Sequence, residues 1–119
     1  MKTKRELKEQ YKQKKFRMGV FRIRNTENEK IFIGSSTDLV SIWNRLRFQL
    51  NNGLCSNAGL QADWSRSGEE KFVYEILSEI KEEERITDYK GETEQLEKMF
   101  IEELQPFGAR GYNIEKRSG

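Results

Sequence analysis

The chain reads as a small α/β (α+β) domain: a three-stranded, antiparallel-type sheet flanked by helices, with an extra basic helix in front of it. Three observations predict this. Two apolar segments, Gly19-Val20-Phe21 and Phe32-Ile33-Gly34, flank Asn25-Thr26-Glu27-Asn28-Glu29-Lys30, a run of turn formers and charges that makes them the arms of a hairpin. Leu39, Ile42, Trp43, Leu46 and Leu50 then recur at the helical period. Further on, Phe72, Tyr74 and Ile76 alternate with Val73, Glu75 and Leu77 at the period of a strand.

The elements follow in order. Residues 4–16 are helix formers without Gly or Pro, and Leu7 and Tyr11 share a face with Phe16 close by, so they predict a basic helix. Strands are expected at about 19–24 and 31–35. A helix over about 38–51 begins at Ser35-Ser36-Thr37-Asp38, with Asp38 near the cap, and stops at Asn51-Asn52-Gly53. A shorter helix spans Asn57 to Trp64, with Leu60 and Trp64 on one side and Ser67-Gly68 after it. The third strand covers about 72–78, and its direction is not readable from its residues. The acidic run Lys81 to Arg85 reads as a solvated loop or helix edge. A last helix over about 92–104 turns Leu96, Met99, Phe100 and Leu104 inward, with Pro106 and Gly108 to stop it. The expected organisation is a basic arm (1–17), one domain (18–114) and a tail (115–119).

Composition narrows the chemistry. Hydrophobic residues are 34% and charged residues 35%, so the core must be compact and the surface heavily charged. No apolar run approaches the ~20 residues of a membrane-spanning helix, and the charged first residues do not read as a secretory signal. Cys55 stands alone, which suits a reducing cytoplasm. The absence of histidine removes His-based hydrolysis and His-ligated zinc, and a single cysteine removes a thiolate zinc site. A metal here needs oxygen ligands, which favours magnesium or manganese. Residues 1–24 carry ten Lys/Arg against two Glu, whereas residues 69–105 carry five against thirteen Asp/Glu. A basic arm suits phosphates. It equally suits a solvated helix, or docking on the acidic segment of its own chain.

The order of these parts resembles the GIY-YIG nucleases over residues 18–114. The resemblance rests on Gly19-Val20-Phe21, Phe32-Ile33-Gly34-Ser35-Ser36, Trp43, Leu60-Gln61, Gly68, Phe72, Glu97 and Gly111-Tyr112-Asn113. No single piece is specific, but the ordered set is. It implies a phosphodiester-cleaving fold. In such nucleases two tyrosines, a helix arginine, a glutamate and an asparagine surround the scissile phosphate. The glutamate holds one divalent metal, a tyrosine helps activate water, and the arginine neutralises phosphoryl charge.

By that resemblance Glu97 is the metal residue, for Mg2+ or Mn2+, and Asn113 matches the asparagine. Read without it, Glu97 is an exposed residue of an acidic helix and Asn113 a turn former. Phe21 and Phe32 stand where the tyrosines would be, and Ile42 where the arginine would be. Phenylalanine keeps the ring but has no hydroxyl to orient water. Arg45 is one turn beyond Ile42 and about 60° round the helix, so its guanidinium is a candidate substitute and, with Glu97 and Asn113, a candidate catalytic residue. Lys12, Lys15, Arg17, Arg22, Arg45 and Arg47 are the candidate nucleic-acid contacts. Glu103 falls on the apolar side of its helix as a candidate second acid. Asp63 reads as a helix surface residue.

Three functions compete. One is a nucleic-acid-binding domain on the nuclease scaffold, for DNA rather than RNA, with weak or lost cleavage. Another is an active metal-dependent endonuclease in which Arg45 replaces the missing arginine. The third is a protein-interaction module whose basic helix meets an acidic partner. Phe21, Phe32 and Ile42 favour the first over the second, because each lost polar contact can cost orders of magnitude in rate.

Overall fold

The computed structural model describes residues 16–115. The expected basic helix over residues 4–16, with Lys12 and Lys15, lies outside the described residues except for Phe16, which is not helical. Three strands form one antiparallel sheet: β1 (Met18–Asn25), β2 (Ile31–Ser36) and β3 (Phe72–Ile80), in the order β2-β1-β3. Three helices pack with it: α1 (Leu39–Asn51), α2 (Ala58–Ser67) and α3 (Tyr89–Leu104). The β3 direction is therefore settled as antiparallel to β1.

Register decides which side chains share a face. Phe21 pairs with Gly34 and Ile76, Ile23 with Phe32 and Tyr74, and Asn25 with Phe72. These residues point to one face, which α1 and α2 cover with Leu39, Leu50, Leu60 and Trp64. A row of rings crosses this core. Phe32 lies 6.4 Å from Phe21, Phe21 5.3 Å from Tyr74, and Tyr74 stacks at 4.8 Å on Trp43. Trp43 meets Trp64 edge-on, and Trp64 reaches Phe72 at 4.9 Å. The Tyr74 hydroxyl donates to the Leu39 carbonyl, which anchors the start of α1 to the sheet. Burial pushes that phenol up to about 12.

Val20 and Ile33 point the other way and are fully buried where α3 lies against β1 and β2. Beyond them Glu75 accepts from Arg24 at 2.9 Å and Arg22 at 3.0 Å, and those two guanidinium groups hold its carboxyl below the usual range. Gly34 shows why this hairpin needs a glycine. A Cβ there would lie 2.5 Å from Cζ of Phe21, so the ring occupies the space a side chain would take.

The helix starts are set by caps. Asp38 accepts from the Ser41 N–H and hydroxyl, and both bonds lower its pKa. Asn57 caps α2 by accepting from Leu60 N–H. α3 begins three residues before the expected start because Asp88 caps it, accepting from Gly91 N–H at 3.0 Å. Gly91 leaves room for that cap: a Cβ there would sit 2.4 Å from the Asp88 carboxylate. The inward stripe of α3 is Thr93, Leu96, Glu97, Phe100, Ile101 and Leu104. Met99 was expected inward but is 65% exposed, and Glu103 is exposed too, because both fall outside this stripe. The acidic run 81–85 is an exposed loop.

Candidate active site

Two features of β2 build a hollow at its outer edge. Among the described residues no fourth strand covers that edge, and the glycine at position 34 lets the Phe21 ring lie against the strand and form part of the wall. The hollow is lined by Phe21, Phe32, Ile33, Gly34 and Ser35 of the hairpin, Ile42 and Leu46 of α1, Glu97 of α3, and Asn113 of the C-terminal segment. Its volume, about 310 Å³, is at the small end for ligand sites. Phe21, Phe32, Ile42, Glu97 and Asn113 are thus brought together from four segments. Among the described residues Glu97 is the one ionisable lining residue.

Glu97 is half-buried, and its Oε1 accepts from the Ser35 hydroxyl at 2.7 Å. Strand alternation explains the pair, since Ser35 lies two residues beyond Ile33 and faces α3. That alternation is the available signal for Ser35, which the sequence places both at the end of the second strand and in the run that starts the helix, without a site role. The donor set for a metal is this one carboxylate with the hydroxyl beside it. Among the described residues no group of three or more acidic or Cys side chains could hold a metal. Such a set fits Mg2+ or Mn2+ only in the manner of a cation that takes one carboxylate and completes its shell with water and substrate phosphate.

Asn113 has a structural task. Its Oδ1 accepts from Ile33 N–H and its Nδ2 donates to the Ile33 carbonyl, both at 2.9 Å. Tyr112 N–H donates to the Ile31 carbonyl at 2.8 Å, and Gly111 bridges Ile31 in parallel. Residues 111–113 therefore form a strap on the first half of the β2 edge and leave Gly34 and Ser35 uncovered. Tyr112 locks the strap down. Its hydroxyl donates to Asp63 Oδ2 at 2.6 Å and accepts from Asn25 Nδ2 at 3.0 Å. The Tyr112 bond is the main reason the Asp63 carboxyl titrates below its ordinary range. Burial, then the Asp63 carboxylate, pushes the Tyr112 phenol up to about 12. Asp63 is thus a partner in a network linking α2, the hairpin and the strap. The surface reading of this residue is overturned, because Asp63 lies on the side of α2 that meets Tyr112.

The candidate cationic contacts divide sharply. Arg17 pairs with Glu79, Arg22 with Glu75 and Arg47 with Glu69. Arg45 is exposed on α1, makes no ion pair with the described residues, and does not line the hollow.

Comparison with known proteins agrees with this architecture. A model described as the GIY-YIG catalytic domain matches residues 17–113. Intron-associated endonuclease 1 of Enterobacteria phage T4 is 32% identical over 96 residues, which is 81% of this chain and 36% of that protein. The chain therefore spans about a third of this curated relative. Two solved structures are similar: a mutant of the catalytic domain of intron endonuclease I-TevI (TM-score 0.70, 30% identity, 87% of this chain and 98% of that one) and the catalytic domain of homing endonuclease I-TevI (TM-score 0.69, 31% identity, 83% and 99%). With the motifs in order, the sheet and helices in place and the hollow at the β2 edge, the chain belongs to the GIY-YIG family of nuclease domains.

Proposed function

We propose that this domain binds DNA on a nuclease scaffold and cleaves it weakly or not at all. One observation carries the reading. The hollow presents Phe21, Phe32, Ile42 and Leu46 around a single carboxylate. Phosphodiester hydrolysis needs a group to orient water and a cation over the developing phosphoryl charge. Neither phenyl ring can do the first, and neither aliphatic chain the second. Glu97 would hold a divalent cation, which supplies Lewis-acid stabilisation when bound. Ser35 fixes the rotamer of that carboxylate. Phe21 is almost fully buried in the aromatic row, so its ring serves packing.

DNA as the partner rests on kinship with an intron-associated endonuclease and on the basic N-terminal stretch. Lys12 and Lys15 belong to that stretch. The lone Cys55 fits a cytoplasmic location. A second reading, an active endonuclease using Arg45, is favoured by the fact that Arg45 is the one arginine of the α-helices and strands without an ion-pair partner among the described residues. Arg110, in the C-terminal segment, also has none, while Arg17, Arg22, Arg24, Arg47, Arg66 and Arg85 all have one. Fluorescence anisotropy on a labelled duplex at low and high salt, with plasmid nicking in Mg2+ or Mn2+ alongside, separates the readings. Salt-sensitive binding without nicking supports the proposal. Binding absent even at low salt refutes it, and nicking abolished both by Glu97→Ala and by Arg45→Gln supports the Arg45 mechanism.

A further inference from the structure

The outer face of α1 presents an aromatic that the core does not use. Phe48 is 62% exposed, and Leu54, in the turn that follows the helix, is 64% exposed. At about 100° per residue Phe48 points directly away from the Leu39–Leu46–Leu50 stripe. Arg45 lies about 60° from Phe48 and about 60° from Ile42. A surface path therefore runs from the hollow at Ile42 over Arg45 to Phe48. The other flank is different, since Arg47 is held by Glu69.

Charge identifies what this face fits. The chain has 20 Asp and Glu, yet residues 39–62 contain none. Their two charges are Arg45 and Arg47, and their polar residues are mainly Asn and Gln, with Asn44 and Asn52 exposed beside Phe48. No acidic side chain of α1 itself opposes a polyanion, and the Glu69 carboxylate is neutralised by Arg47 on the far flank. A phenyl ring offers a nucleobase a stacking platform that does not depend on its identity, and an arginine beside it takes the phosphate.

We propose that the Phe48–Arg45 face of α1 binds a nucleic-acid strand, with an unpaired base stacked on Phe48 and its phosphate on Arg45, so that the strand leads into the hollow. This rests on the DNA-binding reading above, but it assigns the contact to α1 rather than to the basic N-terminal stretch. It predicts a preference for duplexes with an unpaired stretch over intact ones.

The test uses the full chain and two labelled duplexes, one intact and one with a central single-strand gap, read by anisotropy. The native protein should bind the gapped probe more tightly. Phe48→Ala should weaken that binding at least about fivefold, the low end for loss of a base–aromatic stack, while Phe48→Trp retains it. Arg45→Gln should lower the slope of log affinity on log salt by about one. Melting temperatures should be unchanged, because both side chains are exposed. Native binding with no effect of Phe48→Ala overturns this inference and leaves the DNA-binding reading standing. Absence of native binding overturns both. If Phe48→Ala instead breaks a self-associated state and leaves DNA affinity intact, the face belongs to a second copy and the inference is wrong.

Discussion

Removing one hydroxyl should loosen the strap that carries Asn113. In Tyr112→Phe the ring remains, 6% exposed and covered by the Lys30 ammonium 4.7 Å from its centroid, so apolar burial hardly changes. Two hydrogen bonds are lost. Asn25 is fully buried, and its Nδ2–H is left without the acceptor it has at 3.0 Å, which costs roughly 1–3 kcal/mol. The bond to the Asp63 carboxylate belongs to a class worth roughly 1.5–3 kcal/mol. The lower end applies here, because the Asp63 side chain is 14% exposed and keeps Arg66 at 2.8 Å. Since the two losses share one network, the total should be about 2–4 kcal/mol. For a domain of this size that lowers Tm by roughly 10 °C.

Thermal and urea unfolding followed by circular dichroism would measure it. Acid titration adds a second readout. The folded-state pKa of Asp63 is depressed, so its contribution is present above the unfolded pKa and is lost as pH falls through the folded value. The Tyr112 phenol, pushed up to about 12, remains a donor throughout that range. The variant should therefore show a shallower loss of stability on acidification. A change below about 0.5 kcal/mol, the scatter of ordinary surface substitutions, or an unaltered acid limb, would refute the latch.

The remaining predictions concern the hollow and its walls. Gly34→Ala should destabilise by roughly 1–3 kcal/mol, the range for overpacking a core, since the new methyl would lie 2.5 Å from Phe21. Urea midpoints would show it, and Phe21→Leu in the same chain should recover part of the loss. Asn113→Ala should speed hydrogen exchange at the Ile33 amide, whose acceptor is the Asn113 side chain. An unchanged rate there would mean that the strap is held without it. Tyrosines at positions 21 and 32 together should not restore cleavage, because Ile42 still leaves no cation at the family's arginine position. Adding Ile42→Arg to that pair is the informative step, read by plasmid nicking once circular dichroism shows a folded chain.

Much of the fold was legible because its periods are strong. The hairpin and the α1 stripe follow from apolar spacing alone, and Asp38 and Gly68 mark helix ends by their chemistry. The α3 start was missed because Gly91 looks like a helix breaker, whereas here it makes space for the Asp88 cap. The motif residues located the hollow, but their partners were not readable. Nothing in the spacing of Asn113 indicates that both ends of its amide are taken by Ile33. Nor does the local pattern around Asp63 reveal Tyr112, which lies 49 residues away in sequence. Such pairings depend on how three elements meet, and a single sequence carries that only weakly.

The account turns on whether the apolar hollow has lost its chemistry. Incubating supercoiled plasmid with an excess of the full chain, in Mg2+ and separately in Mn2+, beside Glu97→Ala, measures this directly. The account predicts that nicking by the native chain is indistinguishable from, or barely above, that of the variant, although the DNA is bound. Rapid nicking by the native chain that Glu97→Ala abolishes would contradict it.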